Sequence, residues 1–487
     1  MNNKTDYSPL HLHARRRDGM IAAVLAGGML LVYLVTAYPG VGGRACPGDA
    51  AKFQYIPRVL GVPHAPGFPL FVLLGHGWSA LAGGEAPALA MNIFSALWMA
   101  GALALLFYGL RALGVRWLAA ALAALAYAVS EQVWLCATEA GPQALSIFLL
   151  MLALCALAHW FATTRAEWLL VAIAAAGIGA GHATVLLWLA PVLLAATLLR
   201  RPQAWLRLRP WLTLAGVCAV NVLLYIWLWQ RAQAGGPFCE YLTPRATWRG
   251  VVRMALGAQF WPNYWQAGMI EIVRVRVPFV LRATLFELHV CGALLALVGL
   301  AALWRRAWRA AVLLVVVALV GGAFAAHQYL INPAGAYWVF YVCAAWCAGA
   351  GLEVLVGMAG RLRVVVLVLW CLCIGVSVAA TVTTWSWRQN PYENEELLYA
   401  MPDKADMLVL DEYSWNEVFK YYRATHPYLR LRQVRAVTGV PATRTAPLLY
   451  FDPDIARQLR ATGVTGMLLW SNEWQSLYLL YDNVQAE

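Results

Sequence analysis

An all-α polytopic membrane protein of about eleven transmembrane helices, with a small extracytoplasmic α/β domain at its C-terminal end, is the fold class this sequence predicts. Three observations predict it. Of the 487 residues, 62% are hydrophobic and 12% charged, with a mean hydropathy of +0.62. Soluble domains carry about a quarter charged residues, so an ordinary soluble enzyme, a disordered chain and a disulfide-rich secreted module are excluded. Short Arg clusters alternate with apolar runs, and 13 of the 24 Asp and Glu lie from Arg388 onward. The chain thus divides into a transmembrane domain, residues 1–385, with outer loops at 39–86 and 231–286, and a small soluble domain, residues 386–487.

A spanning helix needs about 20 apolar residues, and the Arg clusters orient the candidates. Arg15, Arg16 and Arg17 place the N-terminus in the cytoplasm, and residues 20–38 form the first span. This run is too long, and followed by too many others, for a secretory signal peptide. The next spans are 87–110, 117–134, 142–161, 168–181, 183–199 and 211–230. After the second long loop come 288–304, 311–326, 337–357 and 364–385. Every cytoplasmic turn in this arrangement contains Arg, provided that residues 66–81 do not span. That segment holds His76 and several Gly, and reads as an interfacial or re-entrant helix. The odd count places the C-terminal domain outside.

In that domain, residues 407–410, 448–451 and 467–470 read as strands. Residues 414–422 read as a helix with a capping-box pattern, Ser414 and Glu417. Residues 454–461 read as a second helix, stopped at Gly463. No catalytic motif stands out there, and no internal repeat anywhere. The ten Cys show no CxxC framework. Most lie in apolar runs, where Cys acts as a small hydrophobe.

The net charge of +12 comes mostly from Arg in the turns between spans, which argues against nucleic-acid binding. Charged groups in a membrane region are costly and informative. On this topology Asp49, Glu85, Glu131, Glu139, Glu240, Glu271 and Glu287 gather on the outer side. So do Arg44, Lys52, Arg58, His64, His182, Arg231, Arg245, Arg249, Arg253, Arg274, Arg276, Arg282 and His327. Outer Arg opposes the insertion rule. An anionic ligand such as a lipid phosphate explains it; so does the exemption of long loops from the rule.

The first outer loop is the most specific stretch: Asp49, Lys52, then Gly61-Val62-Pro63-His64-Ala65-Pro66-Gly67-Phe68-Pro69. It resembles the opening of GT-C type glycosyltransferases, polytopic enzymes that take a sugar from a polyprenyl-phosphate carrier at the outer membrane face. Met91-Asn92-Ile93-Phe94-Ser95 is similar to the start of the family's second span, and Trp134 to Leu145, with Glu139, to its acid-bearing turn. Gly181-His182-Ala183-Thr184 and Tyr225-Ile226-Trp227-Leu228 resemble further signatures. The subgroup includes a eukaryotic protein O-mannosyltransferase. Lys52 stands where that subgroup usually carries Glu, His64-Ala65-Pro66-Gly67 replaces its His-Pro-Pro-Gly, and Glu139-Ala140-Gly141 replaces its Glu-Val-Tyr.

The resemblance implies an inverting transfer from a polyprenyl-phosphate sugar to a hydroxyl on protein, lipid or glycan, protein O-mannosylation being the precedent. A leaving phosphate is a weak base and needs cations rather than a general acid. The acceptor hydroxyl needs one carboxylate as base. Asp49 is the expected base, against a solvated loop acid. Lys52, Arg58, His64, Glu139, His182, Arg245, Arg249 and Arg253 are the expected substrate-binding residues.

Each has a blander reading. Glu139 serves equally as a structural ion-pair partner, and His64 as a turn-packing residue. His182 and His327 serve as satisfied helix-end histidines. Arg245, Arg249 and Arg253 share a helix face and serve as interfacial cations. Trp261, Tyr264 and Trp265 read as interfacial anchors, and Cys46 and Cys239 as a possible pair across the two large loops. No metal or other cofactor is expected, Lys52 occupying the place of a second acid. A bacterial inner membrane with the C-terminal domain in the periplasm is the expected location. Two other functions compete: a lipid or glycan transporter or flippase, which predicts mid-span charge pairs and broken-helix repeats, and a non-catalytic membrane assembly factor.

Overall fold

The protein is described from a computed structural model that covers residues 9–43, 47–84, 86–235, 238–239, 247–263, 268–327, 333–358 and 361–384, together with short segments of the C-terminal region between 407 and 482. Helices α1 (Pro9–Thr36), α2 (Pro47–Val59), α3 (Pro69–Ala82) and α4 (Pro87–Ala112) open the chain. There follow α5 (Trp117–Ala128), α6 (Glu131–Thr138), α7 (Pro142–Thr163), α8 (Ala166–His182), α9 (Thr184–Arg200) and α10 (Leu208–Ala234). The second half holds α11 (Trp248–Ala255), α12 (Met269–Glu271), α13 (Val277–Arg306), α14 (Trp308–Ala326), α15 (Pro333–Ala336), α16 (Trp338–Gly357) and α17 (Arg361–Thr384). Proline starts many of them, as at Pro69, Pro87 and Pro142, where its missing N–H costs nothing and its φ is already helical.

Among the described residues, six helices are by length and composition able to cross a membrane, or eight if two bent pairs each count as one. The segments 166–182, 184–200 and 363–379 are apolar but shorter, so the eleven spans expected from sequence depend on counting these three. The expected span 117–134 is not one straight helix. It breaks between α5 and α6 with a 69° bend. Twelve residues of α5 rise only about 18 Å, so α5 stops short and α6 turns across the end of the bundle. The expected start at 288 falls at a bend within α13. A 102° bend separates 269–285 from 290–306.

Helix α7 is central, with 78% of its apolar window buried, whereas α1 and α10 bury 17% of theirs and present Val24, Leu31, Val35, Val220 and Leu223 outward. In lipid, packing rather than hydrophobicity holds helices together, and small residues permit close approach. Gly299 of α13 lies against the Cys347 carbonyl of α16, and a Cβ there would collide with it.

The two ends of the bundle differ in chemistry. At the basic end, Arg111 Nε donates to Asp18 Oδ2 at 2.8 Å. There too Arg116, the residue before α5, donates its backbone N–H (2.7 Å) and Nε (2.9 Å) to the Glu353 carboxylate of α16. The other end gathers Tyr38 after α1, the starts of α4, α7 and α9, and the end of α8. Its ties are Tyr38 N–H to Thr138 O and His182 Nε2 to Pro142 O, at 3.0 and 3.2 Å. Helix α3 stays at this end: Trp78 Nε1 donates to Ala90 O at 2.7 Å, and His76 Nδ1 lies 3.0 Å from Pro57 O. At 14 residues α3 is one of the shorter apolar helices.

In the C-terminal region β1 (Met407–Val409), β2 (Arg435–Val437), β3 (Leu448–Tyr450), β4 (Val464–Ser471) and β5 (Ser476–Asp482) form one sheet in the order β2-β1-β3-β5-β4. The β1 pairings are parallel and those of β5 antiparallel, with a bulge between Leu468 and Trp470. Three of the strands were expected; β2 and β5 were not. Most of the two expected helices lies outside the described residues, although Lys420 and Tyr421 are helical. Tyr421 is buried, and its hydroxyl accepts from the Ala88 N–H at 3.2 Å, at the first turn of α4.

Candidate active site

Helix α2 begins with Pro47 and carries Asp49 in its first turn, where a carboxylate complements the positive end of the helix dipole. Lys52 is three residues on and shares its face. The Lys52 side chain is wholly buried, and its Nζ lies 3.5 Å from Asp49 Oδ1 and 3.1 Å from His64 Nδ1. His64 Nδ1 is itself 3.8 Å from Asp49 Oδ1. An ammonium only donates. His64 Nδ1 is therefore the accepting nitrogen, and the ring proton sits on Nε2. Asp49 is the open member of the three, its side chain 35% exposed against 18% for His64.

His64 is held by aromatic rings. Phe53, Phe68 and Phe260 meet it edge-on at centroid distances of 5.6, 5.7 and 6.2 Å. Phe68 adopts φ +42°, a left-handed conformation costly for a non-glycine residue. This turns its ring between His64 and His182, 5.7 Å from each. Tyr225 of α10 fixes the same turn, its hydroxyl shared between Pro66 O (3.1 Å) and Gly181 O (3.2 Å). Phe260 comes from the segment between α10 and α13, which locks onto the one that follows α2. Val62 N–H donates to Phe238 O at 3.0 Å, and Val251 and Met254 of α11 bury against Val62, Ala65, Tyr225 and Leu228.

Glu139 ends α6, nearly buried at 7% exposure. Its Oε2 rests on Gly43, where any Cβ would collide with it and with Ala50, the neighbour of Asp49. The break that produces this turn is itself secured from α13: Glu287 accepts from the Gln132 N–H at 3.1 Å, at the first turn of α6. Behind the site lies a buried amide pair, Gln54 and Asn92.

Of the residues expected from sequence, Asp49, Lys52 and His64 come together, Glu139 lies across Gly43, and His182 joins through Phe68. Arg58 does not join them. It is exposed and nine residues from Asp49, about half a turn around α2. Arg249 and Arg253 sit on the exposed face of α11, opposite Val251 and Met254, while Arg245 lies outside the described residues. Arg231 is occupied with the end of α2, donating to Leu60 O (2.8 Å) and Val59 O (3.3 Å). Arg276 pairs with Glu271 at 3.0 Å.

Cys239 Sγ lies 3.8 Å from Arg231 O and Gly235 O. Burial pushes its thiol up, with Arg231 pulling the other way. Cys46, Tyr264 and Trp265 lie outside the described residues; Trp261 is half exposed. Among the described residues, no group of three or more His, Cys, Asp and Glu is placed to hold a metal ion. The sequence reading missed Gln54, Phe53 and Phe260. An amide sunk in an otherwise apolar stretch is the signal that marks Gln54 and Asn92.

Solved structures share this architecture. ArnT from Cupriavidus metallidurans in the apo state matches at a TM-score of 0.55 and 13% identity, covering 94% of this chain and 97% of ArnT. The same enzyme bound to undecaprenyl phosphate matches at 0.55 and 12%, with the same coverage. The Archaeoglobus fulgidus oligosaccharyltransferase, in complex with Zn and sulfate, matches at 0.52 and 14%, covering 85% of this chain and 62% of that one. The fold is that of the GT-C membrane glycosyltransferases. No curated protein sequence matches. Within the class, residues 49–206 match the family described as protein O-mannosyl-transferase TMEM260, N-terminal domain. That stretch opens on Asp49 and contains Lys52, His64, Glu139 and His182.

Proposed function

We propose that the protein transfers a sugar from a polyprenyl-phosphate carrier to a hydroxyl acceptor, with inversion, at the extracytoplasmic face of a membrane. Fold and family likeness support a membrane glycosyltransferase of the GT-C type. The observation that carries the finer reading is the Asp49–Lys52–His64 cluster, a half-open carboxylate with a buried cation behind it and a ring donor beside it. ArnT's binding of undecaprenyl phosphate supports a donor of that class. The family match supports a protein hydroxyl as acceptor and mannose as sugar.

In this reading the acceptor oxygen attacks the anomeric carbon as the carbon–phosphate-oxygen bond breaks, and the hydroxyl proton passes to Asp49. Lys52, buried behind Asp49, holds His64 through Nδ1, so that the His64 Nε2–H meets the charge that grows on the leaving phosphate. Glu139 orients a hydroxyl of sugar or acceptor, and His182 backs the turn that carries Phe68. Arg249 and Arg253, on the exposed face of α11, meet lipid phosphates at the membrane surface. No metal takes part. The protein sits in a bacterial inner membrane with its N-terminus cytoplasmic and its sheet-bearing C-terminal domain periplasmic.

Purified protein in nanodiscs, supplied with polyprenyl-phosphate sugars and hydroxyl acceptors, tests this. Turnover that resists chelator and falls about 10²- to 10⁴-fold in Asp49→Asn, with donor binding preserved, is expected. Equal turnover in both forms removes Asp49 as base. Failure of every donor favours the transporter or assembly reading.

A further inference from the structure

The site's two acidic arms come from separate segments. Asp49 belongs to α2, and Glu139 to the turn between α6 and α7. Behind them, Asn92 and Gln54 are both fully buried. Asn92 Oδ1 accepts from the Ala140 backbone N–H at 2.8 Å and from Gln54 Nε2 at 3.1 Å. Asn92 Nδ2 donates to Tyr38 O at 2.6 Å. Gln54 Oε1 accepts from the Gly42 N–H at 2.8 Å, and its Nε2 reaches Gly42 O at 3.0 Å and Gly40 O at 3.3 Å. The backbone groups fix which end of each amide is oxygen, because N–H only donates and C=O only accepts.

We infer that Asn92 and Gln54 are positioning residues, a clamp that holds Glu139 in register with Asp49. Their partners, Tyr38, Gly40, Gly42 and Ala140, lie in irregular backbone that no helix ladder satisfies. Through Gln54 the clamp grips α2 and the 40–43 segment on which Glu139 rests; through Asn92 it grips the residue after Glu139. An apolar pair would fill the same space and leave these backbone groups unpaired. The inference rests on the transfer reading for its effect on rate, but not for the clamp itself.

The test compares the wild type with Asn92→Ala, Asn92→Asp, Gln54→Glu and Gln54→Met in nanodiscs. Asn92→Asp keeps the oxygen that receives Ala140 and loses the donor to Tyr38. Hydrogen exchange at the Ala140 amide is expected to speed at least tenfold in Asn92→Ala and less than threefold in Asn92→Asp. Turnover is expected to fall at least tenfold in Asn92→Ala and less in Asn92→Asp, with KM for the donor within twofold. Unchanged Ala140 exchange in Asn92→Ala overturns the clamp. So do equal rates in wild type and variants, or a donor KM that shifts in step with thermal midpoint. If Asn92→Ala does not fold, Asn92→Asp and Gln54→Glu decide through lower turnover, and Gln54→Met, which removes the oxygen that receives the Gly42 N–H, through faster exchange at Gly42; unchanged values overturn the clamp. A wild type inert toward every lipid-linked sugar, with Ala140 still responding, supports the clamp and overturns the transfer reading.

Discussion

Replacing Lys52 with Met probes the cluster most directly, because the two side chains are similar in length and differ in charge. Nζ lies 3.5 Å from Asp49 Oδ1. At that separation two unit charges attract by about 5 kcal/mol at an effective dielectric of 20, and about 1 kcal/mol in bulk water. Asp49 is 35% exposed, so the value lies toward the lower figure. Lys52 is wholly buried, so Met also removes the cost of dehydrating an ammonium. The two terms oppose, and net stability is expected to change by less than about 2 kcal/mol.

Function responds differently. The substitution removes the donor that holds His64 Nδ1 as acceptor, a charge-assisted bond of about 1.5–3 kcal/mol. At 1.4 kcal/mol per decade, this corresponds to a loss of turnover of roughly 10- to 100-fold. Steady-state kinetics on a lipid-linked sugar, beside a thermal melt, measure both quantities. Lys52→Met turning over within twofold of wild type would refute the role given to the cluster.

Two further substitutions separate site geometry from bulk packing. Gly43→Ala forces a methyl against Glu139 and Ala50 and is expected to reduce turnover at least tenfold, whereas Gly27→Ala, which meets nothing within 4 Å, leaves it unchanged. Similar rates for the two would free Glu139 from its assigned place. Tyr225→Phe strips the shared donor from Pro66 O and Gly181 O. It is expected to destabilise by about 1 kcal/mol, with KM for the donor rising as the His64 turn loosens; an unmoved KM argues against that coupling.

Much of the site was legible because its chemistry is local. Asp49 and Lys52 are three apart on one helix, and His64 follows within a short turn. Arg58 shows the limit of that rule: nearness in sequence says little about facing, and nine residues carry a side chain to the far side of a helix. Phe260 and Gln54 were hidden because their roles are set by partners up to 196 positions away, His64 and Asn92. The spans were read well where apolar runs were long. The α5–α6 break was not, since the contact that caps the start of α6 comes from Glu287, 155 positions downstream. In the sheet, β2 reads Arg-Ala-Val and lacks the continuous apolar run that marks the equally short β1 and β3.

The latch between Arg116 and Glu353 bears on how the chain is made, because the two residues are 237 positions apart. At about 5–20 residues per second, the ribosome needs roughly 12–50 s to deliver the glutamate after the arginine. Over that interval Arg116 has no Glu353 to bind, so the contact that ties the start of α5 to α16 forms late. Asp49, Lys52, His64, Glu139 and His182 also precede Glu353, but Phe260 and Glu287, which meet His64 and the first turn of α6, come only in the second half of the chain, so the pocket is completed late in translation.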